Sequence, residues 1–418
     1  MIVCKVQFRG RIRGCAAAAT SSALLLAVQL LWLLFTAASA HGQTFTVLHT
    51  FTGKGDGKWP YAGVMRDASS NLYGTTTGGG SFDFGTVFKI NAQGKETILH
   101  SFWGGDGVWP EAGLVRDHAG NFYGTTWNGG KREQGGCLHG CGAVFKLDST
   151  GKETVLYAFT AGTDGGEPQA GLVADQHGYL YGTAVEGGDL QCDYGWGCGV
   201  VFRVDQQGKE SVLYAFASTS DGWLVNGDLI RDSAGNLYGV TNAGGTYYDG
   251  TVFKVDSAGK ETVLYNFPGG ASGMYPVGPL VRDPQGNLYG VASTGGDKSC
   301  FCGVVFKLDT SGNETPLYAF KGNPDGVYPY AGLIRDDLGN LYGTTSQGGT
   351  GGGTVYKVDM NGNETVLYSF TGAGDGGYPI SVLARDSSGN LYGTAYTGGD
   401  SSCGYRGRGC GVVFKLTP

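Results

Sequence analysis

The chain ends on Gly-Val-Val-Phe-Lys-Leu-Thr-Pro (411–418), and six earlier stretches read almost the same: GTVFKI (85–90), GAVFKL (142–147), GVVFRV (199–204), GTVFKV (250–255), GVVFKL (303–308) and GTVYKV (353–358). Each of the six runs through a short turn into a segment like Glu-Thr-Val-Leu-Tyr-Ser-Phe (364–370), whereas the last stops. The missing segment stands at the other end of the chain, where Thr46-Val47-Leu48-His49-Thr50-Phe51 matches Thr365-Val366-Leu367-Tyr368-Ser369-Phe370.

An internal repeat surrounds these stretches. Its anchor is an aromatic triplet: Leu72-Tyr73-Gly74, Phe122-Tyr123-Gly124, Leu180-Tyr181-Gly182, Leu237-Tyr238-Gly239, Leu288-Tyr289-Gly290, Leu341-Tyr342-Gly343 and Leu391-Tyr392-Gly393, spaced 50, 58, 57, 51, 53 and 50 residues apart. Every repeat holds four short apolar runs rich in Val, Tyr, Phe and Thr and bounded by Gly, Asn and Asp, which are strand signals. In the sixth repeat they are 331–336, 341–345, 353–358 and 364–370, designated strands a, b, c and d. Asp-x-x-Gly-Asn turns join a to b, as in Asp336 to Asn340, and similar turns join c to d, where glycine supplies the left-handed residue and aspartate caps the turn. Calcium is the alternative reading of these acids, but the glycine comes too early for an EF-hand loop.

Seven four-stranded units of this length predict an all-β, seven-bladed β-propeller of antiparallel blades. Pairing the N-terminal strand (44–51) with the C-terminal strand (411–416) would complete the last blade and close the ring. An open solenoid would instead need capping repeats at its ends. Closure removes two exposed sheet edges and ties down both termini. The glycine inside each Leu-Tyr-Gly is read as a point where the adjacent blade approaches the backbone.

Residues 1–40 stand apart. Lys5, Arg9, Arg11 and Arg13 precede an apolar run from Ala16 to Phe35 and a small-residue end, Ala38-Ser39-Ala40. This is the pattern of a secretory signal peptide, with cleavage expected after Ala40. An uncleaved membrane anchor is the competing reading, because the run is long enough to span. The expected layout is therefore a signal peptide (1–40) and one propeller domain (41–418), secreted or extracytoplasmic, in the periplasm or at the cell surface. No stable membrane insertion is expected after cleavage. Basic residues number 29 against 36 acidic ones, and the segment 1–40 holds four of the former and none of the latter. An acidic domain argues against nucleic acid as a partner.

The repeat as a whole, GNLYGTT…GG…GTVFK…G-x-ETVLYSF, resembles the bacterial GloVer (Gloeo/Verruco) tandem repeat over nearly all of residues 44–418. The resemblance implies an exported protein of propeller-like repeats and brings no catalytic residues. Many members end in a sorting or anchoring segment. This chain stops at Pro418 without one, so free export is the expectation.

The a–b and c–d turns are short and nearly constant, whereas the b–c loops vary, and variable loops on a rigid scaffold are where function is usually placed. All eight cysteines beyond residue 40 fall in those loops as local pairs: Cys137 and Cys141, Cys192 and Cys198, Cys300 and Cys302, Cys403 and Cys410. An even count in an exported chain predicts disulfides. Zinc at Cys137, His139 and Cys141 is the rival, with only three local ligands. The d–a loops share Asp-Gly-x-(Trp/Tyr)-Pro, with Asp56, Asp106, Asp164, Asp221, Asp325 and Asp375 at the acidic place. Their recurrence is read as architecture.

Residues that break the repeat are the candidates for ligand contact: Trp103, Trp127, His139, Tyr194, Trp196, Tyr247, Tyr248, Tyr405, Arg406 and Arg408. Exposed aromatics beside arginine make good contact anchors. The function expected is a binding or scaffold module that recognises a glycan or an extracellular protein through the disulfide-stapled b–c loop face. The alternative is a propeller enzyme of lactonase, glycosidase or lyase type, with an axial metal or carboxylate site. His49 and His100 replace the strand d tyrosine, His118 and His177 sit in a–b turns, and no hydrolase or phosphate-loop motif occurs. No catalytic residue, metal or cofactor is expected.

Overall fold

A computed structural model describes residues 43–130, 137, 140–217, 220–404 and 407–418. The segment 1–40 and the candidates His139, Tyr405 and Arg406 lie outside the described residues. Twenty-eight strands form seven separate four-stranded antiparallel sheets, the blades of a ring. Six blades take their strands a to d in chain order. The seventh runs Ala384–Arg385, Leu391–Ala395, Val412–Thr417 and then the first strand, Thr44–Thr50.

The expected seam is present. Thr44 pairs with Thr417, Phe45 with Leu416, Val47 with Phe414 and Thr50 with Val412, with a bulge between Val47 and His49. The c–d pairs of the other blades carry the same irregularity, for example between Val355 and Tyr356 in blade six. The first strand therefore reproduces strand d down to its bulge. Strand a is shorter than the sequence suggests, two residues in six blades, such as Ile334–Arg335. Blade five is the exception, with Met274–Arg282. There Pro-Val-Gly-Pro (276–279) replaces the usual Pro-x-Ala-Gly, and the inner strand stays extended.

Strands b and c are buried nearly throughout, because both faces of each sheet are covered by neighbouring blades. This is why Val412-Val413-Phe414 shows no polar alternation. The blades are locked by one aromatic pair per junction. The phenylalanine ending strand d meets the strand c aromatic of the next blade: Phe51 with Phe88, Phe102 with Phe145, Phe159 with Phe202, Phe216 with Phe253, Phe267 with Phe306, Phe320 with Tyr356 and Phe370 with Phe414. Centroids lie 4.9–5.2 Å apart in edge-to-face geometry, which adds roughly 0.5–1.5 kcal/mol per pair beyond burial.

This ladder corrects the reading of the Leu-Tyr-Gly glycine. A Cβ at Gly343 would lie 2.5 Å from the Tyr356 hydroxyl and 2.7 Å from its ring, and one at Gly239 would lie 2.6 Å from Phe253. Gly343 and Tyr356 are cross-strand partners in one blade. The glycine leaves room for the strand c ring to lie across strand b and reach the preceding blade. The close approach of an adjacent blade occurs instead at the glycine opening the strand c motif in six of the seven blades, Gly199 being the exception. A Cβ at Gly411 would meet Pro60 at 2.5 Å, and one at Gly303 would meet Pro329 at 2.4 Å.

Hydrogen bonds reinforce the junctions. In five blades the threonine after Leu-Tyr-Gly donates its buried hydroxyl to a carbonyl of the next blade, as Thr75 does to Ala112 (2.9 Å) and Thr394 to Ala62 (2.9 Å). The tyrosine of the triplet closes the a–b turn. Asp336 accepts from the backbone N–H groups of Leu338 and Asn340, from Asn340 Nδ2 and from the Tyr342 hydroxyl. Burial opposes ionisation of Asp336, but these donors outweigh it and hold the carboxyl below its ordinary range.

At the outer edge the balance is reversed. Glu96, Glu153, Glu210, Glu261 and Glu364, each at the start of a strand d, are pushed up to about 7, above all by burial. The linkage signs are opposite. The turn aspartates have lowered folded pKa values, so their contribution is present above about pH 4 and lost as pH falls further. The glutamates hold protons that the unfolded chain has released, so stability declines as pH rises from about 4.5 to 7. The melting temperature should therefore peak near pH 5 and fall on both sides. A melting temperature that climbs from pH 5 to 7 in scanning calorimetry would contradict this assignment.

Candidate functional site

The d–a and b–c loops share one face. Backbone bridges join them at Lys58 and Gly78, Val108 and Asn128, Gly166 and Glu186, Trp223 and Ala243, Val327 and Gln347, and Gly377 and Thr397. The residue before each inner-strand motif is left-handed in all seven blades: Trp59, Trp109, Glu167, Leu224, Tyr275, Tyr328 and Tyr378 have φ between 55° and 60°. Non-glycine residues take this conformation at a cost of about 1–2 kcal/mol. Backbone bonds hold it in place. The Tyr328 N–H donates to the Cys302 carbonyl of the preceding blade (2.8 Å), and the Tyr328 carbonyl accepts from Ser346 N–H (3.1 Å). The residue two positions after this turn lines the ring axis in every blade.

The axial mouth is a cavity of about 440 Å³ lined by residues from all seven blades. The side chain after the proline position differs from blade to blade: Tyr61, Glu111, Gln169, Asn226, Val277, Tyr330 and Ile380. Aromatic rings gather on the side of blades six, seven and one. Tyr396 meets Trp59, Tyr61 and Tyr378 with centroids 6.0–6.4 Å apart, and Tyr330 lies 6.2 Å from Tyr328. Blades two to four contribute Glu111, Gln169, Asn226 and Asp228.

The acids of this cavity are perturbed. Burial, and then neighbouring Glu167, push the Glu111 carboxyl up to about 7. Burial raises Asp228, against the Gly171 N–H that donates to its Oδ1 at 2.7 Å. Asn226 Oδ1 is buried and has no partner among the described residues. Burial, and then Glu111, push the Tyr61 hydroxyl up to about 12. The opposite face carries a concavity of about 520 Å³ at the a–b turns of blades two and three, beside His118 and His177, but it is built from the constant turns.

Exposed large apolar side chains are distributed unevenly. Among the described residues, Tyr61, Phe82, Trp103, Leu190, Tyr194, Trp196, Tyr247, Tyr248, Tyr275, Phe301, Tyr330 and Tyr378 belong to the d–a and b–c side, whereas only Leu338 and Met360 occupy the turns opposite. Of the sequence candidates, Tyr194 is fully exposed at 102 %, and Trp103, Trp196, Tyr247 and Tyr248 are more than half exposed. Arg408 is exposed as well. Trp127 is packed, its Nε1 donating to Glu167 Oε2 at 2.8 Å. None of the described candidates lines the axial cavity; the exposed ones lie on the surrounding loops.

The structure contains the four local disulfides, Cys137–Cys141, Cys192–Cys198, Cys300–Cys302 and Cys403–Cys410. They do more than stiffen loops. Each packs into the hydrophobic junction with the next blade, as Cys403 and Cys410 do with Phe51 and Phe88. The d–a aspartates are structural, as read: Asp164 and Asp375 accept from Tyr157 and Tyr368 and from loop backbone.

Three solved structures are similar in fold. The extracellular domain assigned to the one-component system BT4673 of B. thetaiotaomicron is 11 % identical with a TM-score of 0.55, over 88 % of this chain and 39 % of that one. A protein of Bacteroides uniformis assigned as a 6-phosphogluconolactonase is 15 % identical with a TM-score of 0.50, over 78 % and 88 %. The gluconolactonase XC5397 of Xanthomonas campestris is 14 % identical with a TM-score of 0.43, over 91 % and 92 %. At such identities the likeness is one of fold alone. No curated protein matches the sequence. The Gloeobacter/Verrucomicrobia repeat model matches residues 33–196 and 193–406. With that model covering most of a chain folded as seven blades, the chain belongs to the Gloeobacter/Verrucomicrobia repeat family.

Proposed function

We propose that this chain is an exported binding propeller whose loop face recognises a glycan, seated at the axial cavity and gripped by the surrounding aromatics. The observation that carries the reading is the cavity's two-sided lining: Tyr330 of blade six and Tyr61 of blade one, the latter backed by Tyr396, face carboxylates and amides from blades two to four. A sugar ring offers a flat C–H face to stack on aromatic rings and an equatorial fringe of hydroxyls to pair with carboxylate and amide groups. Ligand sites generally combine apolar walls with a few convergent polar groups. The exposed rings of Trp103, Trp196, Tyr247 and Tyr248 extend such a surface outward for a longer chain. Export is supported by four disulfides, which persist in oxidising compartments, and by the pattern of residues 1–40. Among the described residues no helix is long and apolar enough to cross a membrane.

The test is calorimetric titration of the purified protein with neutral oligosaccharides derived from β-glucan, xylan and chitin. Binding at about 10 µM to 1 mM is expected for at least one of them, weakened roughly tenfold or more by Tyr330→Ala, since aromatic side chains that a ligand covers dominate such contacts. Affinity unchanged by Tyr330→Ala, or no binding while an extracellular protein is captured through the same face, would overturn the reading. The enzyme alternative has one observation of its own: Glu111 is poised to hold a proton near neutrality, as a general acid must. Hydrolysis of a bound glycan that is lost in Glu111→Gln with binding retained would favour it.

A further inference from the structure

At the junction of blades one and two, three metal-ligating side chains from two repeats converge. His100 is the penultimate residue of strand d of blade one, Asp106 lies in the following d–a loop, and Glu153 begins strand d of blade two. One ligand atom from each lies within 4.8 Å of the others. His100 Nε2 is 2.8 Å from Asp106 Oδ2. Asp106 is almost wholly buried, its side chain 4 % exposed, and its Oδ1 accepts from the Trp103 N–H at 2.9 Å. The His100 ring is fixed edge-on against Phe102, with centroids 4.8 Å apart. Glu153 Oε1 is buried with no hydrogen-bond partner among the described residues.

The other junctions show what this one departs from. Tyr157, Tyr214, Tyr318 and Tyr368 stand at the place of His100, and each donates its hydroxyl to the loop aspartate: Asp164, Asp221, Asp325 and Asp375. A phenol there satisfies the carboxylate as a donor. An imidazole presents a nitrogen lone pair instead, in a fixed rotamer beside two carboxylates. His49 makes the same replacement at the seam but lies farther from its aspartate, with Nε2 3.6 Å from Asp56 Oδ2, and the seam set does not reach the same closeness.

The geometry points to a divalent transition-metal site, of the zinc class, ligated by His100, Asp106 and Glu153 and clamping blade one to blade two. One imidazole with two carboxylates suits zinc better than calcium or magnesium, which take oxygen ligands. Three protein ligands leave a fourth position for water. The site is separate from the axial cavity and independent of any ligand there.

Titrating the purified, chelator-treated protein with ZnCl₂ tests this. One equivalent is expected to bind, with a rise in melting temperature at saturation, because a ligand held only by the folded state stabilises it. Co²⁺ in place of zinc should give visible d–d absorption from a nitrogen–oxygen site. His100→Tyr installs the residue found at five other junctions, so it should fold, lose the equivalent and lose the absorption. Glu153→Gln removes a direct ligand and should weaken binding by at least about 10-fold to 100-fold, the loss already typical of removing a group that only orients a ligand. His49→Tyr should change nothing. Failure of the native protein to bind zinc, or an equivalent that survives His100→Tyr, would overturn the assignment.

Discussion

Deleting residues 43–51 should leave no folded monomer. That segment supplies the outer strand of blade seven, and its loss exposes the whole edge of Val412–Thr417. Two anchors go with it. Phe51 is fully buried against Phe88 of blade one, and Phe45 stacks on Tyr368 of blade six at 3.8 Å. Truncating one buried phenylalanine costs about 3–5 kcal/mol, and whole domains are stable by only about 5–15 kcal/mol. The loss of Phe51, the part-buried Phe45 and a strand of backbone pairing therefore exceeds what the remaining ring can supply. Size-exclusion chromatography should show aggregate, and near-UV circular dichroism should lose its aromatic signal. Moving residues 43–51 to follow Pro418 through a flexible linker should restore the monomer, because the strand is then supplied to the same edge from the other end. A deletion variant that still melts cooperatively as a monomer would mean that the ring does not depend on its seam.

The seam was legible because an orphan strand d and a truncated final repeat are both visible as text. The disulfides were legible for a similar reason: each pair is local and sits at one register before strand c. The axial site was not. Its signal is a single varying position inside the most constant motif of the chain, the residue after proline in Pro-x-Ala-Gly-Leu, where Tyr61, Glu111, Gln169 and Tyr330 stand. Attention to variable loops passes over a variable residue in a constant frame. Asp228 was findable too, since it replaces the glycine found at Gly63, Gly113, Gly171 and Gly332. What no sequence reading could supply is the left-handed turn at Trp59 and its six equivalents, which aims that residue at the axis. The His100 cluster was hidden for a different reason. Its ligands come from two successive repeats, His100 and Glu153 standing 53 residues apart, and only the wrap of one strand d against the next brings them together.

Gly343→Val should cost about 3 kcal/mol or more, the upper part of the range for overpacking a tight core. The reason lies within the blade. A Cβ at Gly343 already meets Tyr356 at 2.5–2.7 Å and Leu333 at 3.1 Å, and valine adds two methyl groups. Tyr356 cannot yield, because its ring is fully buried and lies 4.9 Å from Phe320 of the preceding blade. Lifting it would open that junction, so strain at one glycine is carried into the ring. Gly374→Val is the control: a Cβ there meets nothing within 4 Å, and stability should hold to within about 0.5 kcal/mol, as for most surface changes. The same pocket gives a check of opposite sign. The Tyr356 hydroxyl is buried with no partner among the described residues, and phenylalanine fills its place in the other six blades. Tyr356→Phe should therefore gain about 1 kcal/mol, by removing an unsatisfied polar group. Chemical denaturation of the three variants decides the matter. If Gly343→Val unfolds at the native midpoint, or Tyr356→Phe is destabilised by more than its control, the strand c ring does not lie across strand b as described, and the aromatic ladder ceases to explain why that glycine recurs in every blade.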